Sequence, residues 1–563
     1  MTRRLSGPRL VCAQLDALGV RVVFGLPGTQ NVALFSALRE SRLHTVVATS
    51  ELAAGMMACG YARTSGTPGV LMTIPGPGFA YALPALAEAR HDSVPLVLVT
   101  STPAEGPGSA FRLQAVDQAA MAGPVCKATL RATAAGELAP AVREAVTVAV
   151  RGEPGPVLLE LGPEALAGFA AVPVAVSAGE PEAPQEELVR RLVRELGSAD
   201  RILLYVGQGA AGAPGALASF AERLGAPVVA TTSARGVLPE DHPLSLPFDP
   251  VGGGIEELNA LVARCDLVLV LGCKLAHNGS AGFRLRLPEE RLVHIDADRA
   301  VPGANYPARL TGVCDVPALL TALAASSLQP RRGWPDGELA RARSALVAAR
   351  PGGAPEPRFP DLVPDDTASF FGALRRCLPR DAVVATDSGL HQYLVRRHLP
   401  VLSPRGLLTP TDFQAMGFGL PAAVGAALAA PERRVVAIVG DGGLAVAPLE
   451  LATAAREGIR LTVVVLADGR YGLIRREQLG RAAFAFGTDL PAVDLEAIAR
   501  AAGVGYVRLV GELEPSLARA LEAPGVTLVE ARIDDGHAVR RARRRGAARG
   551  LRDAALRCAR RRP

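Results

Sequence analysis

Lysine is almost missing from this chain: Lys127 and Lys274 are the only two in 563 residues, so nearly all positive charge is arginine. Aromatics make up 4%, and Trp334 is the sole tryptophan. No uninterrupted apolar run approaches the ~20 residues that a membrane-spanning helix needs, which argues against a helical membrane protein. The N-terminal stretch has arginines but lacks the apolar centre of a secretory signal. The eight cysteines contain no CxxC pair, so no zinc spacing is encoded. Reduced thiols in a soluble, cytoplasmic protein are the expectation. Basic charge is also scarce once the far end is set aside. From Arg540 to Pro563 there are eleven arginines and one acid, Asp553; without them the net charge of +6 becomes about −4. The basicity is a tail property, and no specific nucleic-acid-binding face is expected on the fold.

What remains is a chain with 49% apolar and 21% charged residues, the balance of a globular protein. Its length suggests roughly three to four domains of about 150 residues. Short apolar runs alternate with helical patterns: Val22–Phe24, Thr45–Ala48, Val70–Ile74, Leu96–Thr100 and Val157–Leu161 in the first part. Ile202–Val206, Pro227–Ala230, Leu267–Leu271 and Leu292–Ile295 follow in the second. The proline-rich, acidic Ala171–Glu187 separates these two parts as a linker, and Gln329–Asp366 is a longer loose stretch with one helical piece. Repeated βα units predict an α/β fold of three doubly wound parallel-sheet domains, at 1–170, 188–328 and 367–535, with an Arg-rich tail at 536–563.

The most informative stretch is Val435–Gly472. An apolar run ends in Gly440-Asp441-Gly442-Gly443, one helix is expected, and a second apolar run, Leu461–Leu466, leads to Asp468. In a parallel βαβ unit both carboxylates reach the carboxyl edge of the sheet, where open α/β folds bind ligands. Two hard oxygen donors beside a glycine turn suit Mg²⁺ shared with a diphosphate, and bare glycine amides cradle the anion. Taken alone, an ordinary Gly-Asp turn in a nucleotide fold reads the same way.

The spacing GDG, then Asp468 27 positions on, then Tyr471-Gly472, resembles the thiamine-diphosphate motif of the acetolactate synthase / 2-oxo acid decarboxylase superfamily. The resemblance covers residues 8–535 and implies pyrimidine-binding, central and diphosphate-binding domains. It puts Asp441 and Asp468 at the Mg²⁺ side-chain positions, with Arg470 giving a backbone carbonyl. Many relatives have Asn where Asp468 stands. Glu51, followed by a small-residue helix and Gly60-Tyr61-Ala62-Arg63, matches the glutamate that bonds the pyrimidine N1′ and promotes the imino tautomer. From position alone it is a helix N-terminal acid. Pro27 and Gly28 lie upstream at the family's spacing, and Gly76 would shape the wall near the aminopyrimidine. Ala415-Met416-Gly417-Phe418-Gly419-Leu420-Pro421 resembles MGxGLPAA, which makes Met416 the wedge between the thiamine rings and Gln414 a neighbouring contact. Gly389, Leu390 and His391 match the loop around the diphosphate. Gly440, Gly442, Gly443, Tyr471, Gly472 and Leu473 complete the expected cofactor contacts. Gln114 in Leu113-Gln114-Ala115-Val116-Asp117-Gln118 resembles the glutamine facing the reacting centre of FQExDQ, although the family's glutamate is Ala115 here.

The resemblance implies decarboxylation of a small-molecule 2-oxo acid and transfer of the enamine to a carbonyl acceptor. A non-ligating decarboxylase of the benzoylformate type is the alternative. Two departures bear on this choice. There is no His-His dipeptide, unlike the decarboxylase branch with paired histidines. Glu477 stands where biosynthetic acetohydroxyacid synthases place a tryptophan. Gly207-Gln208-Gly209-Ala210-Ala211-Gly212 spells GxGxxG, so FAD is a possible further cofactor, but Pro227–Ala230 ends without the acid that binds ribose. A homodimer or homotetramer with sites at the subunit interface is implied. The tail lies outside the resemblance; it reads as solvated, with a polyanion contact or a cap over the active site as alternatives.

Overall fold

The computed structural model describes residues 4–102, 112–171, 183–250, 253–329, 333–335, 337–349, 356–482 and 484–536. The Arg-rich tail and most of the Ala171–Glu187 linker lie outside the described residues.

Three parallel sheets form the frame. The first has the order His44–Val47, Val22–Gly25, Gly69–Thr73, Leu96–Ser101, Pro156–Leu161, Ala128–Ala132. The second runs Val228–Ala230, Ile202–Val206, Leu267–Leu271, Leu292–Asp296, Leu310–Val313. The third repeats the first's plan with Leu407–Leu408, Val383–Thr386, Val435–Gly440, Leu461–Ala467, Val526–Arg532 and Gly505–Arg508. Their central strands, such as Leu96–Ser101 and Leu267–Leu271, are buried along their whole length. Helices on both faces explain why these strands read as unbroken apolar runs rather than alternating ones. In each sheet the order reverses beside the first strand of its unit, which opens a crevice at the carboxyl ends.

Predicted strand positions agree with the observed ones to within a residue or so. Ala128–Ala132, Leu310–Val313, Leu407–Leu408, Gly505–Arg508 and Val526–Arg532 are additional; the first four sit at sheet edges, whereas Val526–Arg532 is an interior strand that the sequence reading misses. The single helix expected between the Val435 and Leu461 strands is instead two, Asp441–Val446 and Glu450–Arg456. Pro448 lies in the break, where it has no N–H to continue the ladder.

The first and third domains share one core. Helix Glu51–Ser65 is capped by Ser50, whose hydroxyl accepts the amide of Ala53 at 3.2 Å, and it ends at Gly66 with φ 77°. It crosses helix Gly419–Ala429 backbone to backbone. A Cβ on Gly60 would lie 2.1 Å from Ala422 O, and one on Gly425 would lie 1.9 Å from Met57 O. The apolar cluster around this seam runs from Phe24 and Met57 through Ala422 to Val465. Glu450, fully buried, reinforces the seam by accepting the amide of Thr49 at 3.0 Å. Trp334 lies in the loose stretch and is structural: its indole N–H donates to Ile202 O at 2.9 Å.

Candidate active site

The carboxyl ends of the third sheet carry a cavity of about 120 Å³. It is lined by Gly389, Leu390, His391, Met416, Gly440, Gly442, Gly443, Asp468, Arg470, Tyr471, Gly472 and Leu473, all singled out from the sequence. Asp441 lines the adjoining cleft, which shares Asp468 and Arg470 with the cavity. Val435–Gly440 and Leu461–Ala467 are paired in register, Gly440 opposite Leu466. Asp441 and Asp468 therefore leave the sheet side by side. Asp441 Oδ2 accepts the amides of Asp468 and Gly469, each at 2.8 Å, and Asp468 Oδ1 accepts that of Arg470 at 3.0 Å.

Both acids are displaced from their ordinary values. Burial pushes Asp441 above the usual carboxylate range. Burial, and then the charge of Asp441, push Asp468 up to about 7. Two half-buried carboxylates side by side, one of them raised by the other's charge, form a hard-oxygen donor set suited to Mg²⁺. Among the described residues no three His, Cys, Asp or Glu side chains converge, so a metal here would complete its shell from backbone, phosphate and water. His391 supplies a second fit: its Nε2 is buried and unpartnered, and burial pushes its pKa down to about 4. A Cβ on Gly440 would stand 2.9 Å from His391 Nδ1, and one on Gly442 would stand 2.6 Å from the Tyr471 ring and 3.1 Å from Met416 Cε. Bare backbone, an orphan imidazole nitrogen and a thioether thus share one small space, as a phosphorylated cofactor would require.

A second cluster stands at the carboxyl ends of the first sheet. Glu51 opens its helix half-buried, and a Cβ on Gly78 would stand 3.0 Å from its Oε1. Gly76 (φ 67°) packs on Gln114, whose own φ is 59°. The Pro27-Gly28 turn leads to Gln30, whose Nε2 donates to Gln114 Oε1. The amide of Gly76 donates to Gln118 Oε1 at 3.2 Å, and Gln118 Nε2 donates to buried Glu160 at 2.9 Å. Gln30 and the scaffold role of Gln118 escape the sequence reading. No described residue of the first domain lines the third-sheet cavity, so within one chain the two clusters do not share that cavity. Gln414, also left-handed at φ 59°, joins neither cavity and donates through Nε2 to Thr411 O at 2.9 Å. Glu477 pairs with Arg481 at 3.3 Å on the helix Gly472–Ala482.

The GxGxxG stretch is a packing device. A Cβ on Gly207 would lie 2.1 Å from Gly272 O, and one on Gly209 would lie 2.7 Å from Gly272 Cα. The amides of Gly207, Gly209, Ala210 and Ala211 are spent on Leu271, Gly272, Gly207 and Gln208 carbonyls. The loop does not offer these amides to a dinucleotide pyrophosphate. A cavity of about 240 Å³ beside it is lined by Asp296 and Lys274. Asp296 is an acid at the end of Leu292–Asp296, a strand where the motif does not place one.

The fold defines a class of α/β protein built from three parallel-sheet domains whose crevices open at the carboxyl ends of the strands. The chain belongs to the thiamine pyrophosphate enzyme family. Its N-terminal TPP binding domain model matches residues 5–121, its central domain 189–323 and its C-terminal TPP binding domain 387–531. The chain is 31% identical over 548 residues to the acetolactate synthase isozyme 1 large subunit of Escherichia coli, covering 94% of each. It is 33% identical over 543 residues to a probable 2-ketoarginine decarboxylase of Pseudomonas aeruginosa, again 94% of each. An acetolactate synthase of Mycobacterium bovis is 30% identical over 492 residues, 84% of this chain and 78% of that one. No described helix is long and apolar enough to cross a membrane.

Proposed function

We propose that the protein is a thiamine-diphosphate- and Mg²⁺-dependent enzyme that decarboxylates a 2-oxo acid and passes the remaining fragment to a carbonyl acceptor. One observation carries this reading: the Asp441–Asp468 pair, the orphan His391 nitrogen and Met416 share the C-terminal crevice. Bound thiamine diphosphate supplies a carbon nucleophile and an electron sink for the departing carboxylate. Asp441, Asp468 and the Arg470 carbonyl hold the metal. His391 and the amides of Gly442 and Gly443 hold phosphate. Met416, soft and unbranched, fills the bend between the two rings. Glu51 holds and returns a proton at the pyrimidine N1′. Gln114, steadied by Gln30, faces the reacting carbon.

The separation of the two clusters in one chain supports a site completed by a second copy, in a homodimer or homotetramer. Tyr81, Leu113 and Leu449 are large apolar side chains left 66%, 80% and 60% exposed, which suits faces covered by another subunit.

The alternative, decarboxylation without ligation, is favoured by two features. One is the relative described as a probable 2-ketoarginine decarboxylase. The other is Glu477 at a position where a tryptophan would mark a biosynthetic acceptor site. Neither reaction calls for a flavin. Products from pyruvate and from 2-ketoarginine, each with and without an aldehyde acceptor, are to be separated by chromatography. A C–C coupled product supports transfer; free aldehyde and CO₂ alone support the simple decarboxylase. No turnover of either donor with the loaded protein counts against both.

A further inference from the structure

Met416 sits in a segment that cannot hold its own shape. Gln414 before it is left-handed at φ 59° and Gly417 after it at φ 84°, and a non-glycine residue persists there only when its surroundings fix it. Met416 is 37% exposed. What fixes the segment is a pair of buried carboxyls from opposite sides. From the third domain, Asp387 accepts the amides of Gly417 at 3.0 Å and Gly419 at 3.0 Å. From the first domain, Glu88, 1% exposed on helix Pro77–His91, accepts the amide of Ala415 at 3.1 Å.

We propose that Glu88 is a positioning residue for the reaction: it and Asp387, gripping the backbone on either side of Met416, set where that side chain stands against the cofactor. The inference rests on the reading of Met416 as the wedge of a thiamine site.

The surroundings of Glu88 suit this task. Asp92, one turn along the same helix, is tied by Arg63 Nη1 at 2.8 Å and by the hydroxyl of Thr411. Arg63, from the helix that begins at Glu51, also donates to Thr409 O at 3.0 Å and lies 5.6 Å above the Phe418 ring. One polar knot therefore joins the Glu51 helix, the Gly76 helix and the Thr409–Phe418 segment. The charged and titratable groups facing Glu88 are Asp92 at the end of its own helix and Arg63 and Cys59 on the neighbouring one; from the third domain comes the Ala415 amide. Burial, and then the charge of Asp92, push Glu88 up to about 9. At neutral pH it accepts the Ala415 amide without setting two bare charges side by side. Above that range it ionises against Asp92 and strains the knot.

The test uses the full chain with Mg²⁺ and thiamine diphosphate, comparing wild type, Glu88→Gln and Glu88→Ala. Calorimetry gives cofactor uptake, and NMR of quenched samples gives the exchange of the cofactor's C2 proton into D₂O. Glu88→Ala should bind the cofactor as the wild type does yet exchange more slowly by up to about 10²-fold, the cost of a wedge displaced by about 1 Å. Glu88→Gln, which keeps an acceptor oxygen, should exchange normally at neutral pH. It should also lack the loss that the wild type shows as pH rises through about 9. Wild-type exchange in Glu88→Ala, or the same alkaline loss in Glu88→Gln, overturns the proposal. Should Glu88→Ala fail to fold, the pH comparison of Glu88→Gln with wild type decides alone. Absence of cofactor uptake by the wild type overturns the thiamine reading and this inference with it; normal uptake with unmoved exchange overturns only the role of Glu88.

Discussion

On the proposed reading, Mg²⁺ stands between Asp441 and Asp468, and without it one of the two keeps a proton. With Asp468 pushed to about 7, the proton and Mg²⁺ compete for the same oxygens. Below that pH the metal must displace a proton, so its affinity should fall about tenfold for each pH unit lost, and it should level off above. Calorimetric titration of Mg²⁺ in the presence of thiamine diphosphate across this range checks it. Asp468→Asn, which removes both the proton and the mutual repulsion, should flatten the dependence. A wild-type affinity indifferent to pH in this range would contradict the metal assignment. The juxtaposition of these acids is legible in the sequence because each follows directly on an apolar run, and the two runs pair as adjacent strands. Glu88 is not legible in that way. One acid in the alanine-rich helix Pro77–His91 looks like any solvated position until its burial against Ala415 is seen.

The crossing of Glu51–Ser65 with Gly419–Ala429 depends on the absence of two side chains. A valine at Gly425 must push Met57 O away from a point 1.9 Å distant. The whole helix pair has to separate, at a cost of about 1–3 kcal/mol or more. Gly425→Val should lower the midpoint of urea denaturation clearly, whereas alanine at Gly136, where nothing lies within 4 Å, should leave it nearly unchanged. A stable Gly425→Val variant would contradict the close approach. Strands were readable at this scale because burial on both faces leaves an apolar run with sharp ends, as at Ile202–Val206 and Leu267–Leu271. The helix after Gly443 was not readable as two pieces, since its apolar spacing continues across Pro448. The glycines of the Gly207 loop have a packing role that the motif does not reveal. Glycine is required wherever backbone meets backbone, and here the partner is Gly272 rather than a ligand.

For the whole molecule, the two separate clusters predict complementation. Glu51→Gln alone should retain cofactor binding and lose turnover about 10²-fold or more, and Asp441→Ala alone should lose the metal. Unfolded together and refolded as a mixture, the two variants should regain a fraction of wild-type activity. A mixed pair then has one site with an intact glutamate from one subunit and an intact metal cradle from the other. Mixtures no more active than their components would place both clusters' partners within a single chain.

The sequence reads as three consecutive units, yet the apolar seam of Met57, Ala422 and Val465 belongs to the first and the last alike. Cutting the polypeptide between them would leave each half with a bare, sticky flank. Excision of either end as a stand-alone cofactor binder should therefore yield aggregates. Homologous exchange of one end will succeed only if the matching face of the other travels with it.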